Sequence, residues 1–332
     1  MKMKKMLVLP AFLAVLLSSC SKNTTYYGNL SGFQTVVEFQ LYEGKKENVD
    51  EIEEILWFYH NLSNKYYFCL VDDDDNQNDR PLNIYDINKS SYNGVSLKIN
   101  EKLYKMLQTA FKANERGAKY FNPFIGSLSD KWKNAIKENT VLSDEEIAQE
   151  LNKISTTSIT FGPNYTIEKY GEAEIDLGAF AKGYVLDQIE GYLNLNKINK
   201  YIIDAGSSSI LLGSNKTKDG LFTVGLKDVE NAYFKAKNCY VSTSSISEQS
   251  ATIDGVTYSH IINPFDGSAV CTNDAVVVIT NQGYLGDVLS TSMMHNTIDE
   301  IKVIEQSEGV KTIVIKDGKI TYQHPDIEVL YH

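Results

Sequence analysis

The chain has 332 residues, of which 42% are hydrophobic, and its formal net charge is −11 at pH 7. This length and apolar content allow a large core in one or two closely packed domains. An acidic chain repels the phosphate backbone of DNA and RNA, so we expect no nucleic-acid partner.

The N-terminal residues have the pattern of a secretory signal. Three lysines precede an apolar run from Leu7 to Leu17, which is too short for a transmembrane helix of about 20 residues. Residues 1–19 are therefore predicted to be a signal peptide. The stretch that ends at Cys20 resembles a bacterial lipobox, in which the cysteine is acylated. The alternative is a cleaved secretory peptide that leaves an ordinary cysteine.

Acylation of Cys20 would anchor the mature chain outside the cytoplasm, on a bacterial membrane. Each buried methylene of an acyl chain contributes about 0.8 kcal/mol, so two or three chains hold the protein stably. We expect residues 20–30 to be a lipid-anchored tether and residues 31–332 to be one folded domain. Since the signal peptide removes three lysines, the mature formal charge would be −14. The remaining Cys69, Cys239 and Cys271 are odd in number, which predicts no disulfide framework.

The first half of the chain predicts one strand and several helices. Alternating apolar residues in "FQTVVEFQLY" (33–42) indicate a strand, and helical spacing covers 47–64 and 98–116. The acidic stretch at 72–81 lacks the glycine and the final glutamate of a calcium loop, so we interpret it as solvated loop. A capping box in "LSDEEIAQELNKI" (142–154) predicts the start of another helix.

The second half mixes strands and helices without a strict repeat, which is typical of an α+β fold. The predicted strands are 174–177, 200–204, 209–213, 221–226, 238–243 and 275–280, the predicted helices are 182–194 and 284–295, and 312–323 is a predicted hairpin with its turn at Asp317-Gly318.

Three short stretches carry candidate chemistry. Lys182 lies where a predicted strand end meets a helix start, and free amides there favour a phosphate, although most such lysines are simply solvated. His260 can move a proton near neutral pH, or it can be a structural histidine. Asp287 and Thr291, four residues apart on a predicted helix, converge as the oxygen ligands that magnesium prefers. That spacing is also common in helices without a metal.

Five blocks in this order resemble the FAD:protein FMN transferases, known as the ApbE family. The resemblance spans nearly the whole mature chain. The blocks are "FNPFIGSLSDKW" (121–132), "IDLGAFAKGYVLD" (175–187), "IIDAGSSSILLGS" (202–214), "VSTSSISEQSATIDGVTYSHIINPFDG" (241–267) and "GDVLSTSMM" (286–294).

The resemblance implies an enzyme that moves the FMN half of FAD to a Ser or Thr hydroxyl of a target protein. The reaction releases AMP and needs Mg²⁺. The implied fold has mixed sheets with packed helices, with an FAD cleft between two closely associated subdomains. The implied partner is a membrane-bound or secreted redox protein with a Ser/Thr flavinylation motif.

The resemblance also assigns residue roles. Ala179 through its carbonyl, Asp287 and Thr291 would hold the metal, and His260 would be the general base at the acceptor hydroxyl. The residues that would line the FAD site are Phe33, Asn122, Asp176, Lys182 and the Ile261 backbone.

This chain departs from the family pattern in several places. Asn122 stands where the motif has aspartate, and Ala205-Gly206-Ser207 replaces a glycine-glycine-aspartate turn. Phe33-Gln34-Thr35 replaces Met-Gly-Thr. A Ser-Glu-Ile motif near the first helix is not evident, and Tyr66-Tyr67 is the candidate for a flavin-contacting wall.

Two other functions remain open at this stage. An FAD pyrophosphatase would use the same metal site but admit water in place of the acceptor hydroxyl. A non-catalytic flavin-binding lipoprotein would bind FAD without chemistry, and it would have no use for Asp287, Thr291 and His260 together.

Overall fold

The computed structural model describes residues 24–33, 35–66, 80–90 and 93–332. The α-helices within these residues are α1 (Lys46–Ser63), α2 (Ile84–Lys89), α3 (Glu101–Lys112), α4 (Gly126–Glu138), α5 (Asp144–Thr156), α6 (Ala181–Leu195), α7 (Gly283–Met293) and α8 (Ile298–Glu308).

The strands of the same residues are β1 (Tyr26–Gly32), β2 (Thr35–Leu41), β3 (Asn93–Lys98), β4 (Ser158–Phe161), β5 (Thr166–Tyr170), β6 (Tyr201–Ala205), β7 (Ser209–Leu212), β8 (Phe222–Gly225), β9 (Ala232–Ala236), β10 (Cys239–Ser245), β11 (Ser250–Ile253), β12 (Val256–Ser259), β13 (Ala275–Thr280), β14 (Lys311–Lys316), β15 (Lys319–Gln323) and β16 (Leu330–Tyr331).

A large antiparallel sheet organises the fold, in the order β1-β2-β6-β7-β10-β13-β14-β15. Helices α1, α6 and α7 pack together, and α7 lies on β7, β10 and β13. The small sheet β16-β9-β8 covers the opposite face of the large one. The remaining small sheets are β3-β5-β4 and the hairpin β11-β12. This mixture of antiparallel sheets and packed helices confirms the predicted α+β class.

Strand β13 shows why one apolar run serves both faces of the sheet. Its side chains alternate, so Val276 and Val278 join the core beneath α7, while Ala275 and Val277 join the core beneath β8 and β9. Each of these four residues is at most 3% exposed. A strand buried on both faces has a continuous apolar sequence, as "AVVVIT" (275–280) does.

Two local predictions are confirmed in atomic detail. Ser143 accepts a hydrogen bond from the Glu146 amide while the Glu146 carboxylate accepts one from the Ser143 amide, which completes the capping box of α5. Asp317 and Gly318 have φ values of 51° and 66° at the turn between β14 and β15, which a type I′ hairpin turn requires.

The predicted strand at 174–177 is wrong. Ile175 is fully buried, but its backbone partner is the carboxamide of Asn88, which donates to the Ile175 carbonyl and accepts from its amide at 2.9 and 2.8 Å. The Glu174 carbonyl accepts from the Gly126 amide. The apolar pattern therefore reported burial correctly, but a side chain and a loop take the place of a neighbouring strand.

The polar tether predicted for residues 20–30 also needs correction at its end. Strand β1 begins at Tyr26 and pairs antiparallel with β2 along its whole length, so residues 26–30 belong to the folded sheet.

Several predictions fall outside the described residues. They concern the signal peptide, the lipidation site Cys20, Gln34, Tyr67, Cys69 and nearly all of the acidic stretch 72–81. Among the helices that the structure describes, none combines the length and the apolar character needed to cross a membrane.

Candidate functional site

The candidate site is built where helices α6 and α7 approach each other closely. A Cβ atom on Gly183 would lie 2.1 Å from the Gly283 carbonyl oxygen, and one on Gly283 would lie 2.3 Å from the Gly183 oxygen. Only glycine at both positions permits this approach. The first amides of α7 are in turn capped by α6, because the Asp187 carboxylate accepts from Gly283 and Tyr284 at 2.6 and 2.9 Å. Burial, partly offset by these bonds, raises the pKa of Asp187 to about 6.

Asp287 lies at the centre of this contact and is only 5% exposed. Its Oδ2 accepts the Gly183 amide at 2.7 Å. Its Oδ1 accepts two hydroxyls, those of Ser209 at 2.7 Å and Ser242 at 2.8 Å. Burial raises the pKa of Asp287, although Lys182 and the three donors oppose that effect. Among the described residues no cationic nitrogen lies within 4 Å of the carboxylate, so its charge has no ion-pair partner.

The residues around Asp287 fit a hard divalent cation. The Gly183 amide, which would bind the Ala179 carbonyl in a regular helix, binds Asp287 instead, and no other amide of the described residues takes that carbonyl. The Thr291 hydroxyl lies one helical turn beyond Asp287. One carboxylate, one hydroxyl and one carbonyl form the all-oxygen donor set that magnesium prefers. The described residues contain no cluster of three or more His, Cys, Asp or Glu that could hold a metal.

Lys182 lies at the start of α6 and points towards the turn between β6 and β7. Its ammonium group donates to the hydroxyl of Ser208, which is 8% exposed. Burial raises the pKa of Asp287 and of Asp204, and the charge of Lys182 opposes that effect at both. Burial lowers the pKa of His260, and the charge of Lys182 adds to that effect. Lys182 is therefore within electrostatic reach of the candidate metal ligand and the candidate base. It is not a freely solvated lysine, which was the alternative interpretation.

Asp176 belongs to a buried ion-pair network that the sequence did not predict. Its carboxylate lies 2.8 Å from the Lys65 ammonium, which also binds Asp130 at 2.7 Å and the Gly126 carbonyl at 3.2 Å. The Lys65 side chain is 6% exposed. Burial would raise the pKa of Asp176, but Lys65 and Lys133 outweigh it, so the net shift is downwards. Asp176 is therefore ionised at neutral pH.

Lys65 was missed because its partners are remote in sequence, at Gly126, Asp130 and Asp176. The neighbouring Tyr66, one of the two candidate wall tyrosines, donates to Asp130 at 2.8 Å and is 42% exposed. Only its position beside those tyrosines could have drawn attention to Lys65.

Asn122 and Phe33 are held by local contacts. The Asn122 side chain accepts the Phe124 amide at 2.9 Å and so caps the short 3₁₀ turn before α4. Phe33 has a φ of 52° in the turn between β1 and β2, and its amide donates to His60 Nδ1 at 3.0 Å. Its ring meets the His60 ring edge-on at 5.2 Å. The described contacts do not connect Asn122 or Phe33 to Asp287.

His260 follows strand β12 and faces the carbonyl of Gln249. Its Nδ1 lies 3.2 Å from that oxygen, and its backbone amide donates to the same oxygen at 3.1 Å. A carbonyl only accepts, so Nδ1 carries the proton and Nε2 of the neutral ring keeps its lone pair. Burial lowers the pKa of His260 despite the opposing effects of Gln249 and Glu248. The ring is therefore neutral at pH 7, as a general base must be.

Ile261, the next residue, has its backbone occupied. Its amide donates to Ser259 Oγ at 3.2 Å, and its carbonyl accepts the same hydroxyl at 3.4 Å. A ligand that used this amide would therefore have to displace Ser259.

The model of the ApbE family matches residues 34–314. A FAD:protein FMN transferase of Treponema pallidum is 25% identical over 215 residues, which are 58% of this chain and 59% of that protein. One of Rhodobacter capsulatus is 24% identical over 255 residues, 72% of this chain and 47% of that protein. The matched region thus spans about half of these relatives' length.

Solved structures share the fold. The ApbE protein of Thermotoga maritima superposes with a TM-score of 0.72 at 20% identity, covering 92% of this chain and 96% of its own. The apo form of the flavinyl transferase ApbE of Pseudomonas stutzeri has a TM-score of 0.72 at 16% identity, covering 95% and 96%. Since the family match covers far more than half of the sequence, the chain belongs to the ApbE family.

Proposed function

We propose that this protein is a magnesium-dependent FAD:protein FMN transferase. It would transfer the FMN half of FAD to a Ser or Thr hydroxyl of an acceptor protein and release AMP. The names of the relatives support flavin transfer to a protein. The magnesium, the hydroxyl acceptor and the AMP are our proposal from the chemistry of the site.

The observation that carries this proposal is the buried Asp287 carboxylate. It has three neutral donors, no ion pair within the described residues, and Lys182 within electrostatic reach. Burying an unpaired charge is costly, so the arrangement makes sense where a cation completes it. A bound Mg²⁺, held by Asp287, Thr291 and the Ala179 carbonyl, would neutralise charge on the phosphate oxygens of FAD.

The residues of the chain account for phosphate binding. The Lys182 ammonium, which donates to Ser208 at the start of α6, would bind the diphosphate bridge of FAD, whose negative charge also suits a helix N-terminus. Asp176 lies six residues before Lys182, in the loop that precedes α6. Its ion pair with Lys65 fixes that loop.

The reaction has a simple balance of atoms. The acceptor oxygen bonds to the phosphorus on the FMN side, the bond from that phosphorus to the bridging oxygen breaks, and AMP leaves with the bridging oxygen. The proton of the acceptor hydroxyl goes to Nε2 of His260, because Nδ1 already carries a proton directed at Gln249. A base positioned in this way contributes about 10²–10⁴-fold in rate.

Mass spectrometry tests the proposal directly. The full chain is incubated with FAD, Mg²⁺ and an acceptor peptide that contains an Asp-x-x-Ser/Thr segment, and the peptide is then weighed. A gain of one FMN unit on the hydroxyl residue, with AMP in solution, is the expected result. Free FMN and AMP beside an unmodified peptide would instead establish a pyrophosphatase. Intact FAD with several competent acceptor proteins would contradict both enzymatic functions.

We also propose that the enzyme is a lipoprotein, lipid-anchored through Cys20 outside the cytoplasm. The proposal is supported by the lipobox-like sequence, and it suits an acceptor protein that is itself membrane-bound or secreted. Radiolabelled palmitate should be incorporated by bacteria expressing the wild-type chain and not by those expressing Cys20→Ser. Equal labelling of both chains would remove Cys20 as the acylation site.

A further inference from the structure

We propose that Ser209, Ser242 and Ser244 are positioning residues for the two side-chain ligands of the magnesium site. This inference rests on the proposed function, since it assigns a role towards the metal of that site. We call the three hydroxyls the serine cradle. All three lie within the blocks that resemble the family, 202–214 and 241–267, but nothing in those blocks assigned them a role.

The first part of the cradle follows from strand register. Strands β7 and β10 are antiparallel neighbours, and Ser209 stands directly opposite Ser242. Both hydroxyls donate to Oδ1 of Asp287, at 2.7 and 2.8 Å. A carboxylate oxygen has two lone pairs, so both of those on Oδ1 are taken. Oδ2 accepts only the Gly183 amide, and it is therefore the oxygen that keeps a lone pair for a cation.

The second part follows from matched spacing. Ser244 lies two residues after Ser242, so both side chains project from the same face of β10, about 6.6 Å apart. Asp287 and Thr291 are four residues apart on α7, which is a rise of about 6 Å. The Ser244 hydroxyl accordingly lies 3.2 Å from the Thr291 hydroxyl. One face of β10 thus supports both predicted side-chain ligands, because Ser242 and Ser244 are spaced about as far apart as Asp287 and Thr291.

Close packing makes the cradle hard to replace by water. Ser209 is 2% exposed and Ser242 is 1% exposed. A Cβ atom on Gly286 would lie 2.6 Å from the Ser242 oxygen, so α7 rests almost directly on that hydroxyl. Removal of either hydroxyl leaves Asp287 with an unfilled acceptor position and a freer rotamer. Groups that orient a metal ligand in this way are worth about 10–100-fold in metal affinity.

The test measures metal binding separately from catalysis. Mn²⁺ is titrated into the full chain, alone and with saturating FAD, and free Mn²⁺ is counted by electron paramagnetic resonance. The double variant Ser209→Ala/Ser242→Ala should weaken Mn²⁺ binding by about 10–100-fold. Ser244→Ala, which faces the neutral ligand Thr291, should have a smaller effect. Ser209→Thr keeps a hydroxyl and should retain most of the affinity.

Ser245→Ala is the matched control. Ser245 is on the same strand and 3% exposed, but it donates to Asp228 at 3.0 Å instead of Asp287. Thermal unfolding of each variant shows whether it is folded. Unchanged Mn²⁺ affinity in the folded double variant, or an equal loss in Ser245→Ala, would overturn the cradle. Should the double variant not fold, unchanged affinity in Ser244→Ala would overturn it as well.

The Mn²⁺ titrations distinguish an error in the proposed cradle from an error in the proposed metal site. If the wild-type chain and Asp287→Asn bind Mn²⁺ equally, the metal site itself is wrong, and the cradle is refuted with it. If Asp287→Asn abolishes binding and the serine variants do not weaken it, the metal site stands and the cradle alone is refuted.

Discussion

The contact between α6 and α7 can be tested by one methyl group, in Gly183→Ala. The new Cβ would lie 2.1 Å from the Gly283 oxygen and 2.9 Å from Cγ of Asp287, whereas ordinary contacts of a Cβ atom are 3.4–4 Å. Since the nearest atom is backbone, no side-chain rotation relieves the clash. The two helices must separate by roughly 1 Å, and overpacking of this kind costs about 1–3 kcal/mol in the free energy of unfolding.

The displacement should also lower activity. The Gly183 amide would move away from Asp287 Oδ2, and a misplacement of roughly 1 Å at a catalytic site costs on the order of 10²-fold in rate. Because each kcal/mol shifts the melting temperature by about 2 °C in a chain of this size, we expect a loss of about 2–6 °C. Mass spectrometry of the acceptor measures the loss of flavin transfer, and thermal unfolding measures the loss of stability.

Gly191→Ala is the control within the same helix. A Cβ on Gly191 meets no atom within 4 Å, and the residue is exposed. Replacing glycine by alanine inside a helix should therefore stabilise the protein by about 0.5–1 kcal/mol and leave transfer unchanged. If Gly183→Ala behaves like Gly191→Ala in both measurements, the close approach does not position Asp287.

Five further substitutions, at four residues, separate the roles of other residues. In the pH profile of kcat/KM, the acid limb should have its midpoint below pH 6.5, because burial lowers the pKa of His260. His260→Ala should abolish that limb and leave the FAD dissociation constant unchanged. Lys182→Met should weaken FAD binding by roughly 10–100-fold through the lost charged hydrogen bond, and equal affinity by calorimetry would contradict its phosphate role. Lys65→Met should cost about 3–5 kcal/mol in urea unfolding at pH 7 because Asp176 loses its ion pair; a loss below 1 kcal/mol would argue against the network. Asn122→Ala should cost about 1 kcal/mol and Asn122→Asp almost nothing, since aspartate caps equally well, and equal losses in both would argue against the cap.

The ion pair between Lys65 and Asp176 also makes the stability of the protein depend on pH in the acid range. The folded-state pKa of Asp176 is lowered, so its contribution to stability is complete above the ordinary aspartate pKa of 3.8 and is lost as the pH falls through the lower folded value.

The sequence predicted those parts of the fold that depend on local periodicity. Helix α7 and strand β13 have regular patterns over most of their length, and the Asp317-Gly318 turn has a sequence that few other conformations accept. The stretch 174–177 failed because an apolar run reports burial and not the identity of the hydrogen-bond partner. Its partner Asn88 is a single side chain, 87 residues away from Ile175.

The candidate site could be proposed from sequence only as far as the family motifs reach. Lys182, His260 and Asp287 were proposed as site residues because each lies in a block of recognisable sequence. Lys65 was not, because an ion pair with Asp176 requires two segments 111 positions apart in the sequence to meet, and no local pattern encodes that meeting. Ser209 and Ser242 lie inside two of those blocks, but only the register of β7 and β10 shows that they stand opposite each other.

The departures from the family pattern now have a structural interpretation. Gly206 keeps a φ of 73°, and a Cβ there would lie 2.1 Å from the Thr35 hydroxyl, so the glycine of the turn is still required. The neighbouring Ser208 binds Lys182, so the turn still contacts the lysine without an acidic residue at Ser207. Asn122 likewise keeps the hydrogen bond of a cap and loses only the charge of aspartate. Asn122 and Ser207 each take the place of an aspartate of the family motif, so both changes remove a negative charge. At Ser207, next to the Lys182 partner Ser208, less negative charge favours a ligand that is itself an anion.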